Sequence, residues 1–143
     1  MSTDKLGHPP PVVQSMILAD HVHHDSMTGK KYILGAHNGI ISSTFPAKHS
    51  FSVYLALTAG HGRVMLRMRI VDADEASGSI QESISPLDMA NPNQVYEVTA
   101  TIAAVFPTPG DYRVQLFVGN DLLREVRLRV ALRQTNTPPS GER

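Results

Sequence analysis

The chain of 143 residues has no cysteine, no tryptophan, only 6% aromatic residues and a formal net charge of zero. Each absence closes a class of function. Without cysteine there is no disulfide framework, no thiolate metal site and no cysteine nucleophile, and such a chain suits a reducing compartment. Zero net charge argues against bulk electrostatic attraction to nucleic acid or to an acidic surface. No run approaches the ~20 consecutive apolar residues of a membrane span. The first fourteen residues, MSTDKLGHPPPVVQ, lack the basic patch and apolar stretch of a secretory signal. The sequence therefore points to a soluble cytoplasmic protein with no membrane partner.

Helical periodicity is missing as well. No segment sustains apolar residues at i, i+3, i+4 and i+7 over three turns, and Pro86 to Asn91 could form one helical turn at most. What is present instead is alternation. Between Pro107 and Leu132, Tyr112, Val114, Leu116 and Val118 alternate with Arg113, Gln115 and Phe117. After Gly119-Asn120-Asp121, Val126, Leu128, Val130 and Leu132 alternate with Arg127, Arg129 and Ala131. Period-two patterning on both sides of a Gly/Asn/Asp turn is a strong hairpin signal.

The same pattern recurs upstream. Phe51, Val53, Leu55 and Leu57 share one face, and a turn at Gly60-His61-Gly62 leads to Val64, Leu66, Met68 and Ile70. The spacing predicts a second hairpin here. Further strands are expected from Ser15 to His24, from Lys31 to His37, at Ile40-Ile41, around Ile80 to Ile84 and from Val95 to Phe106. Asp72 to Gly78 reads as an acidic exposed turn, and Pro86 with Asn91-Pro92-Asn93 as a loop. About eight strands punctuated every 8–12 residues predict an antiparallel, immunoglobulin-like β-sandwich.

A chain of this length is normally one domain with roughly 70% of its unfolded surface buried. It is placed at residues 14–133. Residues 1–13 and 134–143 are expected to be disordered tails, being proline-rich and polar. Tyr112 sharpens the fold. In immunoglobulin domains a tyrosine opens strand F two residues before a core cysteine, and its hydroxyl bonds back to upstream backbone. Tyr112 and Val114 fit those places, although both cysteines and the strand-C tryptophan are missing. The alternative is a tyrosine that merely caps a core strand.

Three groups of residues could carry chemistry. His21, His23 and His24 lie between Asp20 and Asp25. On a strand, His21 and His23 project from one face, ~7 Å apart. With His37 from the next strand they could hold zinc or a similar divalent ion, which would make the chain a metal-binding protein or small metallohydrolase. The plain alternative is a solvated edge strand on which histidines discourage edge pairing; on that reading there is no cofactor. The second group is Arg63, Arg67 and Arg69 on one strand, with Arg113, Arg127 and Arg129 on a neighbouring hairpin. Arginine forks could read carboxylates or phosphates, or pair across strands with Glu97, Glu125 or aspartates.

The third group is apolar. Met65, Val71 and Phe117 interrupt the polar faces of their strands. Contiguous, they would mark a contact surface. Met65, Arg67, Arg69, Phe117, Arg127 and Arg129 together are the candidate interaction surface, for a protein partner or for self-association. Only Phe117 and Tyr54 fall on outer faces, too few for base stacking along a nucleic acid. No nucleophile elbow, phosphate-binding glycine loop, H-E-x-x-H or dinucleotide fingerprint is present. No catalytic residue is assigned. The reading that follows is a non-enzymatic interaction or assembly module.

The N-terminal motifs also carry a resemblance. Ala19-Asp20-His21-Val22, Thr28-Gly29-Lys30, Ile33-Leu34-Gly35, Phe45-Pro46 and the later Pro109-Gly110-Asp111-Tyr112 are its elements. They resemble a family of small bacterial proteins classed only as a domain of unknown function, over most of residues 16–132. The resemblance implies a β-sandwich and carries over no activity and no catalytic residue.

Overall fold

A computed structural model describes residues 9–74 and 78–134. Nine strands form two sheets: β1 (Val12–His24), β2 (Lys31–Ala36), β3 (Gly39–Ser42), β4 (Ala47–Thr58), β5 (Gly62–Asp72), β6 (Ser79–Met89), β7 (Tyr96–Phe106), β8 (Gly110–Val118) and β9 (Asp121–Leu132). One sheet has the order β2-β1-β4-β7 and the other β3-β9-β8-β5-β6. Among the described residues there is no helix, and hence none long and apolar enough to cross a membrane. β1 opens at Val12, two residues inside the expected N-terminal tail. Pro11, also within that expectation, is buried, while residues 1–8, residues 75–77 of the acidic turn and residues 135–143 of the C-terminal segment lie outside the described residues.

Alternation builds the core. Phe51, Val53, Leu55 and Leu57 of β4 are at most 1% exposed, and they meet Leu66, Met68 and Ile70 of β5 and Tyr112, Val114 and Leu116 of β8 from the facing sheet. Burying each large apolar side chain contributes ~1.5–3 kcal/mol relative to leaving it in water. The strand order is that of an immunoglobulin-like sandwich, with β4, β5, β6, β7, β8 and β9 in the places of strands B, C, C′, E, F and G. Tyr112 is 3% exposed, and its hydroxyl donates to the Thr108 carbonyl at 2.6 Å. That is the back-bonded tyrosine at the start of strand F, and its ring meets Phe106 edge-on at 5.0 Å.

The structure departs from the sequence reading in four places. β4 and β5 are not a hairpin: they belong to different sheets, and the chain arches between them through Ala59 (φ 63°) and Gly62 (φ 74°). Alternation cannot separate a hairpin from an arch, because both sheets of a sandwich bury one face. Pro86 lies within β6, opposite Met65, where a loop or helical turn was expected. An edge strand tolerates a residue without an N–H, and β6 is an edge. β3 runs parallel to β9, against the antiparallel rule of the remaining pairs. Val71, expected on the outer surface, is fully buried.

The β1–β2 hairpin closes on Asp25–Lys30. The Asp25 side chain accepts from the Met27 amide at 2.9 Å, and Gly29 supplies the left-handed φ of 76°. The Met27 amide and the Thr28 hydroxyl hold the Asp25 carboxyl below its ordinary range. β1 pairs with β4 only as far as Ala19, and its remainder pairs with β2 alone.

Candidate interaction surface

The outer face of the five-stranded sheet is built in rows set by register. The first row is Ile84, Arg67, Phe117 and Leu122, one residue from each of β6, β5, β8 and β9. Met65 and Pro86 sit beside it as a cross-strand pair. Ile84 is 59% exposed, and Met65 and Leu122 are each 48% exposed. The result is an apolar stripe across four strands. It depends on a bulge: the β8–β9 register shifts between Leu116 and Phe117, which brings Leu122 opposite Phe117.

The next row is Glu82, Arg69, Gln115 and Glu125. Gln115 is 3% exposed, so both ends of its amide need partners. They have them. Its carbonyl accepts from Arg69 Nε at 2.8 Å and its amide donates to Glu125 at 2.7 Å. Arg113 pairs with the other oxygen of Glu125 at 2.9 Å, Arg67 with Glu82 at 2.6 Å, and Arg129 with Asp111 at 3.5 Å. The guanidinium carbons of Arg67 and Arg69 stand 4.4 and 5.1 Å from the centre of the Phe117 ring. Cation–π contact and these hydrogen bonds and ion pairs hold the long side chains in place. Arg127 is exposed beside Arg113.

All six residues of the expected surface therefore lie on one sheet face. Ile84, Leu122 and Pro86 were missed, because the strand around Ile80 was expected to end at Ile84 and Leu122, just after the turn at Gly119-Asn120-Asp121, was assigned to no face. The expected pairing of arginine with Glu97 does not occur, since Glu97 is on the opposite sheet. There its carboxylate accepts from the Tyr54 hydroxyl and meets Lys31 Nζ at 3.2 Å. Burial, with Glu97 alongside, pushes the Tyr54 hydroxyl up to about 12. The Tyr54 hydrogen bond first, and Lys31 second, hold Glu97 below the usual carboxylate range.

The histidines are not brought together. His21 and His23 are exposed, and His23 stacks on its cross-strand neighbour Tyr32 at 6.1 Å. His37 falls beside Leu18, its ring edge-on to Phe51 at 6.4 Å. Its ring nitrogens are buried without a hydrogen bond, and Nε2 stands 3.5 Å from Asp20 Oδ1. Ala36 pairs with Ala19 while His21 pairs with Leu34, so the register keeps His37 away from His21 and His23. Among the described residues, no group of three His, Asp or Glu side chains is placed to hold a metal ion.

Comparison with known proteins bears on the fold. The chain resembles a glycosyl hydrolase family 2 member from Bacteroides cellulosilyticus DSM 14838 at 13% identity and a TM-score of 0.50, covering 85% of this chain and 15% of that one. A β-glucuronidase from glycoside hydrolase family 2 gives 18% identity and a TM-score of 0.46, over 62% of this chain and 10% of that one. An immunoglobulin-like protein from Pseudomonas aeruginosa gives 15% identity and a TM-score of 0.38, over 86% and 98%. The chain thus spans a small fraction of the hydrolases it resembles. Such likenesses concern the fold alone. No curated protein matches the sequence. Residues 14–131 match a family of unknown function (DUF6941), as the N-terminal motifs implied, and the chain belongs to that family.

Proposed function

We propose that the chain is a non-enzymatic interaction module that docks a protein partner through the outer face of its five-stranded sheet. One observation carries the reading: the stripe of Ile84, Phe117 and Leu122, with Met65 beside it, lies against arginines already fixed in place. Interface cores are enriched in aromatic residues, methionine and arginine and depleted in lysine and aspartate, and contiguous apolar patches mark contact sites. Arginines held by Phe117 and Gln115 lose less rotamer freedom on docking than free ones. Absence of cysteine suits a reducing compartment, so the partner is sought in the cytoplasm.

The test is photo-cross-linking in an extract of the source organism. A photoreactive residue replaces Ile84 in one variant and His21, exposed on the opposite sheet and away from its β7 edge, in another. A discrete adduct formed from position 84 alone, and lost when Met65→Glu and Leu122→Glu are added, supports the reading. Adducts indifferent to those two substitutions, or none specific to position 84, refute it.

A further inference from the structure

A sandwich of two open sheets has four edge strands, and each exposes a row of backbone N–H and C=O groups that can template another strand. Three of the four are blunted here. β3 has only four residues. β2 has six and carries Gly35 in the left-handed region at φ 72°. β6 contains Pro86, Glu82 and Asp88, and its register slips between its pairings with Ile70 and Val71. β7 has none of these devices. It runs eleven residues, YEVTATIAAVF, in unbroken register with β4, and its one charge is Glu97 near its start. Among the described residues no strand pairs with its outer edge.

The mouth of the sandwich is open on the same side. Across from β7, the inward positions of β6 opposite Met68 and Leu66 are Ser83 and Ser85, both exposed. Tyr96, Val98 and Ala100 point inward from β7 yet remain only half-buried, and Val105 is 47% exposed. A strand laid along β7 would satisfy its free ladder and cover these side chains.

We propose that the occupant is β7 of a second copy, paired antiparallel about a two-fold axis at Thr101, so that the two four-stranded sheets become one of eight. This register is the one that uses the whole strand. It sets Tyr96 against the partner's Phe106, Val98 against the partner's Ala104, and Thr101 against the partner's Thr101. Glu97 then faces the partner's Val105, with Lys48 the next residue across the ladder on the same face. The strand meets its own copy without opposing like charges, and its one carboxylate, already held by Tyr54 and Lys31, faces an uncharged residue on either side of the axis. A two-fold contact of this kind is closed, so it stops at the dimer.

Sedimentation equilibrium on the full chain tests this. The wild type forms a concentration-dependent dimer. Thr101→Lys places two ammonium groups face to face and raises the dimer dissociation constant by about tenfold or more, while its circular dichroism stays that of the wild type. Thr101→Glu behaves likewise, and an equimolar mixture of the two variants dimerises again. In this cysteine-free chain, Thr101→Cys is joined to its copy by a short bismaleimide, and Ile41→Cys on the β3 edge is not. A chain monomeric at every concentration overturns the proposal. So does a dimer that Thr101→Lys leaves intact, or cross-linking equal at the two positions.

Discussion

Replacing Tyr112 with phenylalanine removes one oxygen and leaves the ring, its packing and the backbone unchanged. The ring is 3% exposed and meets Phe106 edge-on at 5.0 Å, and phenylalanine keeps that contact. What is lost is the bond from the hydroxyl to the Thr108 carbonyl at 2.6 Å and the longer one from the Thr108 amide at 3.4 Å. A neutral intramolecular hydrogen bond contributes ~0.5–1.5 kcal/mol net, and an orphaned buried partner adds more. Thr108 is exposed, so water can take up its carbonyl and the added penalty stays small. The short bond alone gives a destabilisation of about 1 kcal/mol, or about 3–5 °C in Tm for a domain of this size.

Urea titration followed by far-ultraviolet circular dichroism measures the change, with an unchanged m-value showing that the unfolded state is the same. Tyr32→Phe is the reference: Tyr32 is 46% exposed, and its hydroxyl loss should be neutral. Tyr112→Ala, which also empties the core beside Phe106, is expected to cost about 3–5 kcal/mol. If Tyr112→Phe falls within about 0.3 kcal/mol of the wild type, the hydroxyl is incidental and the loop from Phe106 to Gly110 is held by ring packing alone.

Three further outcomes follow from contacts described above. Tyr54 should titrate near 12 in absorbance at 295 nm, and Glu97→Gln should lower it. A raised tyrosine contributes stability that is full below pH 10 and lost as pH climbs through 12; a depressed Glu97 contributes stability that is full above its ordinary 4.5 and lost as pH falls below it. The pH–stability curve of Glu97→Gln should therefore lose height between those limits and be flatter at both ends. Gly60→Ala would drive a methyl into the buried Met89 Sδ, an overpacking expected to cost ~1–3 kcal/mol in thermal unfolding. Arg124 donates to the Val13 carbonyl at 2.8 Å and so ties β9 to β1 across the two sheets; Arg124→Met should cost ~1 kcal/mol by the same assay.

Which face each strand buries was legible, because period-two alternation is local. The inward sets of β4, β5 and β8 all came from it, whereas the back-bonded tyrosine was suggested by the place of Tyr112 two residues before Val114, with a merely capping tyrosine as the alternative. Where a strand goes next was not legible. Thr58 to Gly62 has the residues of a hairpin turn, yet it carries the chain to the other sheet, a choice made by long-range packing. Pro86 misled in the same way, since proline breaks a central strand but not an edge, and edge status is a property of the finished sheet. The histidines failed through register. A spacing rule puts His21 and His23 on one strand face, but only the pairing of Ala19 with Ala36 shows that His37 falls elsewhere. Ile84, Phe117 and Leu122 line up only once β5, β6, β8 and β9 are zipped together, and a bulge completes the row.

Zero net charge conceals an uneven surface. On the outer face of the five-stranded sheet, Arg67, Arg69, Arg113, Arg127 and Arg129 stand against Glu82, Glu125 and Asp111, an excess of two positive charges within a neutral chain. Such an excess is felt only within a Debye length, ~8 Å at physiological ionic strength, and most of these arginines already have carboxylates or Phe117 for company. On the proposed reading, a partner docking on this face would not be steered from a distance. It would be read at contact, by the fit of apolar groups to the stripe and by hydrogen bonds to guanidinium groups held by Phe117, Gln115 and neighbouring carboxylates. The consequence separates the two ways such a face could work. Recognition of a polyanion loses affinity steeply with salt, roughly one counterion for each phosphate neutralised. Binding through the stripe should change little between 50 and 200 mM salt, about twofold or less, and should collapse on Phe117→Glu. A steep salt slope with Phe117→Glu still competent would assign the face to an anionic ligand instead.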